Sequence, residues 1–191
     1  MTPAIALVTP AAVNSSASSA QSARERVLSD SELTSLMAAA DVERYSFGYA
    51  IKLLVLTGQR RSEVAEMRWS EIDLERMVWT FPISRSKNQQ AHEVPLSIAA
   101  INVIRSVPRF LNSEYVFTTT GRAPISGFGR VKNRLDGVLG LANWRTHDLR
   151  RTAASGMAPL GVAPHVIEKV LNHRTGIISG VAAVYNSVRP Q

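Results

Sequence analysis

Apolar residues recur along most of this chain at three- and four-residue intervals, broken by polar corners and by one central stretch with a different rhythm. Ser29 and Glu32 have the spacing of a capping box, Leu28 is placed as a staple, and Leu33, Leu36 and Met37 follow at helical intervals. A second helix is predicted over roughly Glu43 to Leu56, with Phe47, Ala50, Ile51, Leu54 and Val55 on its buried face and Tyr45 and Tyr49 as packing residues. Gly58 stops it, and a new helix starts near Arg60 or Arg61. The rhythm then changes: Glu71 to Leu74, Met77 to Phe81 and His92 to Leu96 read as strands, with the polar stretch Ser84 to Gln90 as an exposed hairpin tip.

Helical periodicity returns over Ser97 to Val107, with Ile98, Ile101, Val103 and Ile104 as apolar positions. Tyr115, Val116 and Phe117 suggest a short buried strand. Pro124 to Ser126 leads into a helix carrying Phe128, Val131, Leu135 and Val138, with Arg130, Lys132 and Arg134 around it. Another helix starts near Thr146 or His147; its small residues from Thr152 to Ala158 predict close packing at the centre of the domain. A last one opens with Pro164 in its first turn and presents Val166, Ile167, Val170 and Leu171. The pattern predicts a mainly α fold with a small antiparallel β-sheet, an α+β class.

Composition narrows this picture. With 191 residues, 45% of them hydrophobic, the chain can bury one substantial core, so one domain with a tail is expected. Residues 1–23, rich in Ala, Ser, Thr and Pro and without a charged side chain, read as a flexible leader, and residues 24–191 as the folded domain. The leader has no basic opening, and Pro3 and Pro10 bracket its apolar run, which argues against a secretory signal. No apolar run approaches the ~20 residues that span a bilayer, so no membrane partner is expected and a cytoplasmic location is the default. The absence of Cys excludes disulfides and thiolate metal sites, and the four His residues show no metalloprotease spacing, so neither metal nor cofactor is expected. The formal net charge of +7, carried mostly by Arg, favours a polyanionic partner, although a basic protein without a nucleic-acid role has the same balance.

Candidate chemistry gathers in the C-terminal third. His147 and Arg150 lie three residues apart, where one helical face presents both, with Arg151 beside them. His173 follows in Leu171-Asn172-His173, and Tyr185 closes an apolar run. Guanidinium and imidazole can hold phosphate oxygens while a phenolic oxygen attacks phosphorus. Upstream, Arg60 stands at a predicted helix start, where unpaired N–H groups favour an anion, and Lys87 sits on the hairpin tip. Each group taken singly has a plainer role: solvated charge for Arg60, Arg61 and Lys87, a satisfied structural residue for His147, packing against Val181 and Val184 for Tyr185.

Taken together, Thr57-Gly58-Gln59-Arg60-Arg61-Ser62-Glu63, Lys87, His147-x-x-Arg150, Leu171-Asn172-His173 and Tyr185 resemble the catalytic domain of the tyrosine recombinases, the phage integrase family. The likeness covers about residues 26 to 188, and the ending Gly180 to Asn186 looks most like integrases of prophages and genomic islands. It implies the fold of that catalytic domain, double-stranded DNA as partner and a homo-oligomer, a tetramer on DNA. It also implies cleavage and rejoining through a 3′-phosphotyrosyl link, without cofactor. Carried over by position, Tyr185 is the nucleophile and Arg60 and Arg150 clamp the phosphate. His147 acts as base, His173 adds a hydrogen bond, Lys87 protonates the leaving 5′ oxygen, and Glu63 braces the site. Arg61, Arg85 and Arg151 are the candidate DNA contacts. Gln59 and Asn172 depart from the residues common at their positions, an apolar residue and Gly. On this reading the separate N-terminal core-binding domain of full-length integrases is expected to be missing and the tail to be short, and the alternative is a truncated, non-catalytic DNA-binding remnant. A topoisomerase-like activity would use the same site chemistry.

Overall fold

The structure is a computed structural model and describes residues 26–43, 45–85, 91–141 and 143–172. The expected leader, Lys87, His173 and Tyr185 lie outside the described residues. Within them the order is α1 (Asp30–Val42), α2 (Phe47–Thr57), α3 (Arg61–Ala65), β1 (Ile72–Asp73), β2 (Val78–Phe81), β3 (His92–Pro95), α4 (Ile98–Ser106), α5 (Phe128–Leu139), α6 (Thr146–Met157) and α7 (Pro164–Val170). Short 3-10 turns, Trp69–Glu71 and Ile83–Arg85, precede β1 and follow β2. This is the mainly α arrangement with a small antiparallel sheet that the periodicity predicts. No described helix is long and apolar enough to cross a membrane.

Helix α2 is the hub, packed against α1, α4 and α6. Its sequence explains why: Ala50, Ile51, Leu53 and Leu54 are all buried, so more than one face is apolar and each face needs a cover. The capping box forms as expected, with Ser29 Oγ accepting from Glu32 N–H at 3.2 Å and Glu32 Oε2 accepting from Ser29 N–H at 2.9 Å. Just before it, Leu28 is buried and its N–H donates to Thr152 Oγ1 at 3.0 Å, which ties the entry of α1 to α6.

The sheet has the order β1-β2-β3 and is antiparallel throughout. Trp79 stands opposite Val94 and Phe81 opposite His92; Trp79, Phe81 and Val94 point into the core. Alternation of buried and more exposed residues along β2 fixes this register, because a slip of one residue would turn Trp79 out.

Three expectations are corrected. Helix α2 begins at Phe47, not Glu43: Glu43 caps α1 and takes Arg134 Nη2 at 2.6 Å, while Tyr45 stacks on Phe110 and donates its hydroxyl to Pro108 O at 3.0 Å. Tyr115 to Phe117 is not a strand but a single bridge, Arg68 to Tyr115, because Thr118 Oγ1 accepts from the N–H groups of Thr120 and Gly121 and turns the chain away. Val138, placed on the apolar face of α5, is 73% exposed.

Candidate functional site

Two backbone corners converge on one cavity of about 450 Å³. The first is the link between α2 and α3. Gly58 ends α2 at φ 64°, its N–H returning to Leu54 O at 3.0 Å. A Cβ at this position would stand 2.9 Å from Leu171 Cδ2 and 3.2 Å from Ala153 Cβ, so glycine serves both the left-handed turn and the close approach of α6 and the end of α7. Arg60 then leaves in extended conformation as the N-cap of α3. Glu63, three residues on, takes Arg60 N–H at 2.7 Å and Arg60 Nη1 at 2.8 Å. One carboxylate thus fixes both the backbone and the guanidinium of Arg60, with the Arg60 side chain still 32% exposed to the cavity.

The second corner is the start of α6. Asp148 accepts Arg145 N–H at 2.8 Å, closing the first turn, and takes Arg151 Nη1 at 3.2 Å. One turn of helix then puts His147 and Arg150 on the cavity wall. Arg150 is 4% exposed; its Nη1 donates to Gly58 O at 2.8 Å and its Nη2 to Leu171 O. Burial, and next the Arg60 charge, pull its pKa down to about 10 against the opposing effect of Glu63, so it stays a cation at neutral pH. Partial enclosure of the His147 ring, followed by the charges of Arg151 and Arg150, lowers its pKa below the ordinary histidine value of 6.5. The imidazole is therefore neutral at pH 7 and able to accept a proton.

The cavity wall also carries Arg61, Lys132 and Arg145, and no described carboxylate lines it. Arg61 lies over the Phe128 ring at 5.9 Å, and Lys132 pairs with Asp136 and lies over Trp144 at 5.0 Å. With Glu63 and Asp136 set behind Arg60 and Lys132 and no described carboxylate on the lining, this concentration of cations facing one space is a receptacle for anionic oxygens.

Of the site residues expected from the sequence, the structure brings Arg60, Arg61, His147 and Arg150 to this cavity, with Glu63 behind Arg60 and Arg151 on α6 paired with Asp148. Arg85 is placed elsewhere: it pairs with Glu71, donates to Glu63 O at 3.5 Å and stacks over Phe81 at 5.0 Å, with its side chain 14% exposed. Buried Glu71 also accepts Trp79 Nε1–H at 3.1 Å, so Arg85 neutralises a carboxylate that the sheet and the 3-10 turn share. Lys132 and Arg145 enter the site without a motif; a charge count along α5 could have offered Lys132, while Arg145 had only its place before the His box as a signal.

Gln59 and His92 form a further link that sequence reasoning missed. Gln59, 1% exposed, donates from Nε2 to Thr57 O at 3.0 Å and to Val170 O at 2.9 Å. His92 Nε2 lies 3.1 Å from the same Val170 O. Asn172, immediately beyond, has φ 50°, the left-handed conformation that Asn accepts in place of Gly.

A model of the phage integrase family matches residues 26–191. The chain belongs to the phage integrase family. Prophage integrase IntA of Escherichia coli (strain K12) is 31% identical over 121 residues, which is 62% of this chain and 29% of IntA; this integrase chain thus spans under a third of that relative's length. Among solved structures, the catalytic domain of bacteriophage HP1 integrase superposes with a TM-score of 0.63 at 20% identity, covering 86% of this chain and 88% of that one. The XerH site-specific recombinase, solved bound to its difH substrate before cleavage, gives a TM-score of 0.63 at 17% identity over 84% of this chain and 49% of XerH. These likenesses establish a tyrosine recombinase catalytic-domain fold.

Proposed function

We propose that this integrase-family chain breaks and rejoins double-stranded DNA in site-specific recombination, through a tyrosine linked to the 3′ phosphate. The observation that carries the reading is the cavity itself: Arg60 and the distant pair His147 and Arg150 share a cation-rich wall without a described carboxylate in its lining. A phosphodiester brings the complementary charge, and the fold is the one XerH uses on its substrate.

In this reading the phenolic oxygen of Tyr185 attacks the scissile phosphorus, the bond from phosphorus to the 5′ oxygen breaks, and the proton of Tyr185 passes to a base. A free tyrosine has a pKa of about 10, so the base matters at neutral pH. His147 has the right form for it, a neutral imidazole beside two guanidinium groups. Arg60 and Arg150 meet the charge that builds on the non-bridging oxygens of the phosphorane. His173 adds a hydrogen bond there, and Lys87 returns a proton to the departing 5′ oxygen. A 5′ hydroxyl from another strand reverses the sequence and releases the tyrosine. The phosphodiester energy is kept in the covalent link, and partner copies of the chain cleave the other strands to free their 5′ hydroxyls.

The test is covalent capture on a pool of nicked duplexes, in which the broken strand drifts away and traps the linked protein. Wild type is expected to form a denaturant-resistant protein–DNA species, and Tyr185→Phe to form none while still retarding DNA in a salt-dependent way. Salt-dependent binding without capture by wild type would replace this reading with that of a non-catalytic DNA-binding remnant.

A further inference from the structure

The end of α7 is held by side chains from three other elements. The last carbonyls of a helix have no partner within it and are met by water, by a backbone turn or by outside donors. Here Val170 O receives Gln59 Nε2 at 2.9 Å and lies 3.1 Å from His92 Nε2, while Leu171 O receives Arg150 Nη2. A carbonyl only accepts, so His92 carries its proton on Nε2, and two donors use both lone pairs of Val170 O. The two carbonyls on which Gln59 Nε2 converges, Thr57 O and Val170 O, settle which end of the amide is nitrogen. Its other end, Oε1, is buried with no hydrogen-bond partner among the described residues.

That orphan oxygen matters. An apolar side chain would fill the same buried space without an unsatisfied acceptor of its own but would take a donor from Thr57 O and Val170 O, so the amide matters here for what it bonds and not for what it fills. What Gln59 adds is a link between parts of the site. It stands between Gly58, whose carbonyl takes Arg150 Nη1, and Arg60, which Glu63 braces. His92 opens β3 opposite Phe81 and so marks the base of the β2–β3 hairpin. The Val170 carbonyl is therefore the point where the Arg60 corner, the hairpin base and the end of α7 meet, one residue from the carbonyl that Arg150 grips.

We propose that Gln59 and His92 are positioning residues of the phosphate site, which clasp the Val170 carbonyl and so set the end of α7 and the Arg150 guanidinium relative to Arg60. The proposal rests on the function given above, and it acts through geometry: neither side chain needs to touch DNA. Loss of either clasp lets the end of α7 shift, and Arg150, tethered to Leu171 O, shifts with it. A misplacement on the order of 1 Å at a phosphate clamp lowers the chemical step by up to about 100-fold while leaving binding to the rest of the DNA unchanged.

The test uses the full chain with Gln59→Leu, His92→Leu and the conservative His92→Gln, which keeps an N–H donor. Capture at saturating nicked DNA is expected to fall about 10- to 100-fold in the two leucine variants, with the DNA dissociation constant within about twofold of wild type. His92→Gln should regain most of the loss. The second readout needs no activity: the side-chain N–H resonance of Arg150, and amide exchange at Leu171 and Asn172, should change in both leucine variants and not in His92→Gln, with α2 amides unaffected. Unchanged Arg150 and Leu171 signals in both leucine variants would overturn the proposal. So would losses that merely track a global drop in folding. If wild type itself captures no DNA, the proposed function falls while the resonance and exchange data still decide the clasp.

Discussion

The cavity's two inner arginines are held by opposite means. Arg60 is braced by a carboxylate on its own short helix, and its guanidinium keeps an edge toward the cavity. Arg150 is buried in a wall of the domain and tethered to two backbone carbonyls, Gly58 O and Leu171 O, that belong to different segments. The first arrangement sets a charge locally, whatever the rest of the molecule does. The second makes the charge depend on tertiary structure, since its anchors lie 92 and 21 residues away in sequence. Under the proposed function, phosphate binding through this pair reports both local order at α3 and the docking of α7 against α6.

Perturbations should separate the two modes by size. Arg150→Ala is expected to have the largest effect, a loss of covalent capture of about 1000-fold together with a lower melting temperature, because it removes a clamp donor and leaves Gly58 O and Leu171 O without their partner. Retention of wild-type capture by a folded variant would remove Arg150 from the site. Gly58→Ala attacks the same docking from the backbone: a positive φ and a contact of 2.9 Å to Leu171 should lower unfolding stability by about 1–3 kcal/mol in denaturant titrations. Glu63→Gln loosens the local brace alone, and about tenfold slower capture with little change in melting temperature is the expected result.

Acidity offers a milder probe. Since burial and neighbouring arginines lower the His147 pKa, its neutral form persists below the usual histidine range, and capture should decline as pH falls through a midpoint below 6.5. A rate profile with its acid limb above that value would assign the limb to another group. At the small end, Arg134→Ala takes a cation from Glu43, whose side chain is 7% exposed, away from the cavity, and should leave capture at its wild-type value with a modest drop in melting temperature.

The contrast also explains what could be read from the sequence. His147 and Arg150 were legible because three-residue spacing on one helix fixes their common face. Glu63 behind Arg60 follows the same local rule. Gln59 and His92 were not, because each acts on a main-chain carbonyl, 111 and 78 residues distant, and a carbonyl leaves no trace in residue identity. Gln59 shows in the sequence only as a departure from the apolar residue common there; its buried amide makes a directed bond to Val170 O. Arg85, a candidate DNA contact, pairs with Glu71, a carboxylate whose burial no local pattern announces. The fold was more open to reading than these links, since periodicity reports burial residue by residue, while the bridge at Tyr115 depended on where Thr118 turns the chain.

The register at Phe81 and His92 carries one more implication. Because Trp79 and Val94 lock the two strands from below, residues can be added to or removed from the connecting segment without rotating His92 off its carbonyl. The length of that segment thus becomes an adjustable dimension, open to change by insertion or deletion while the geometry beneath is left alone.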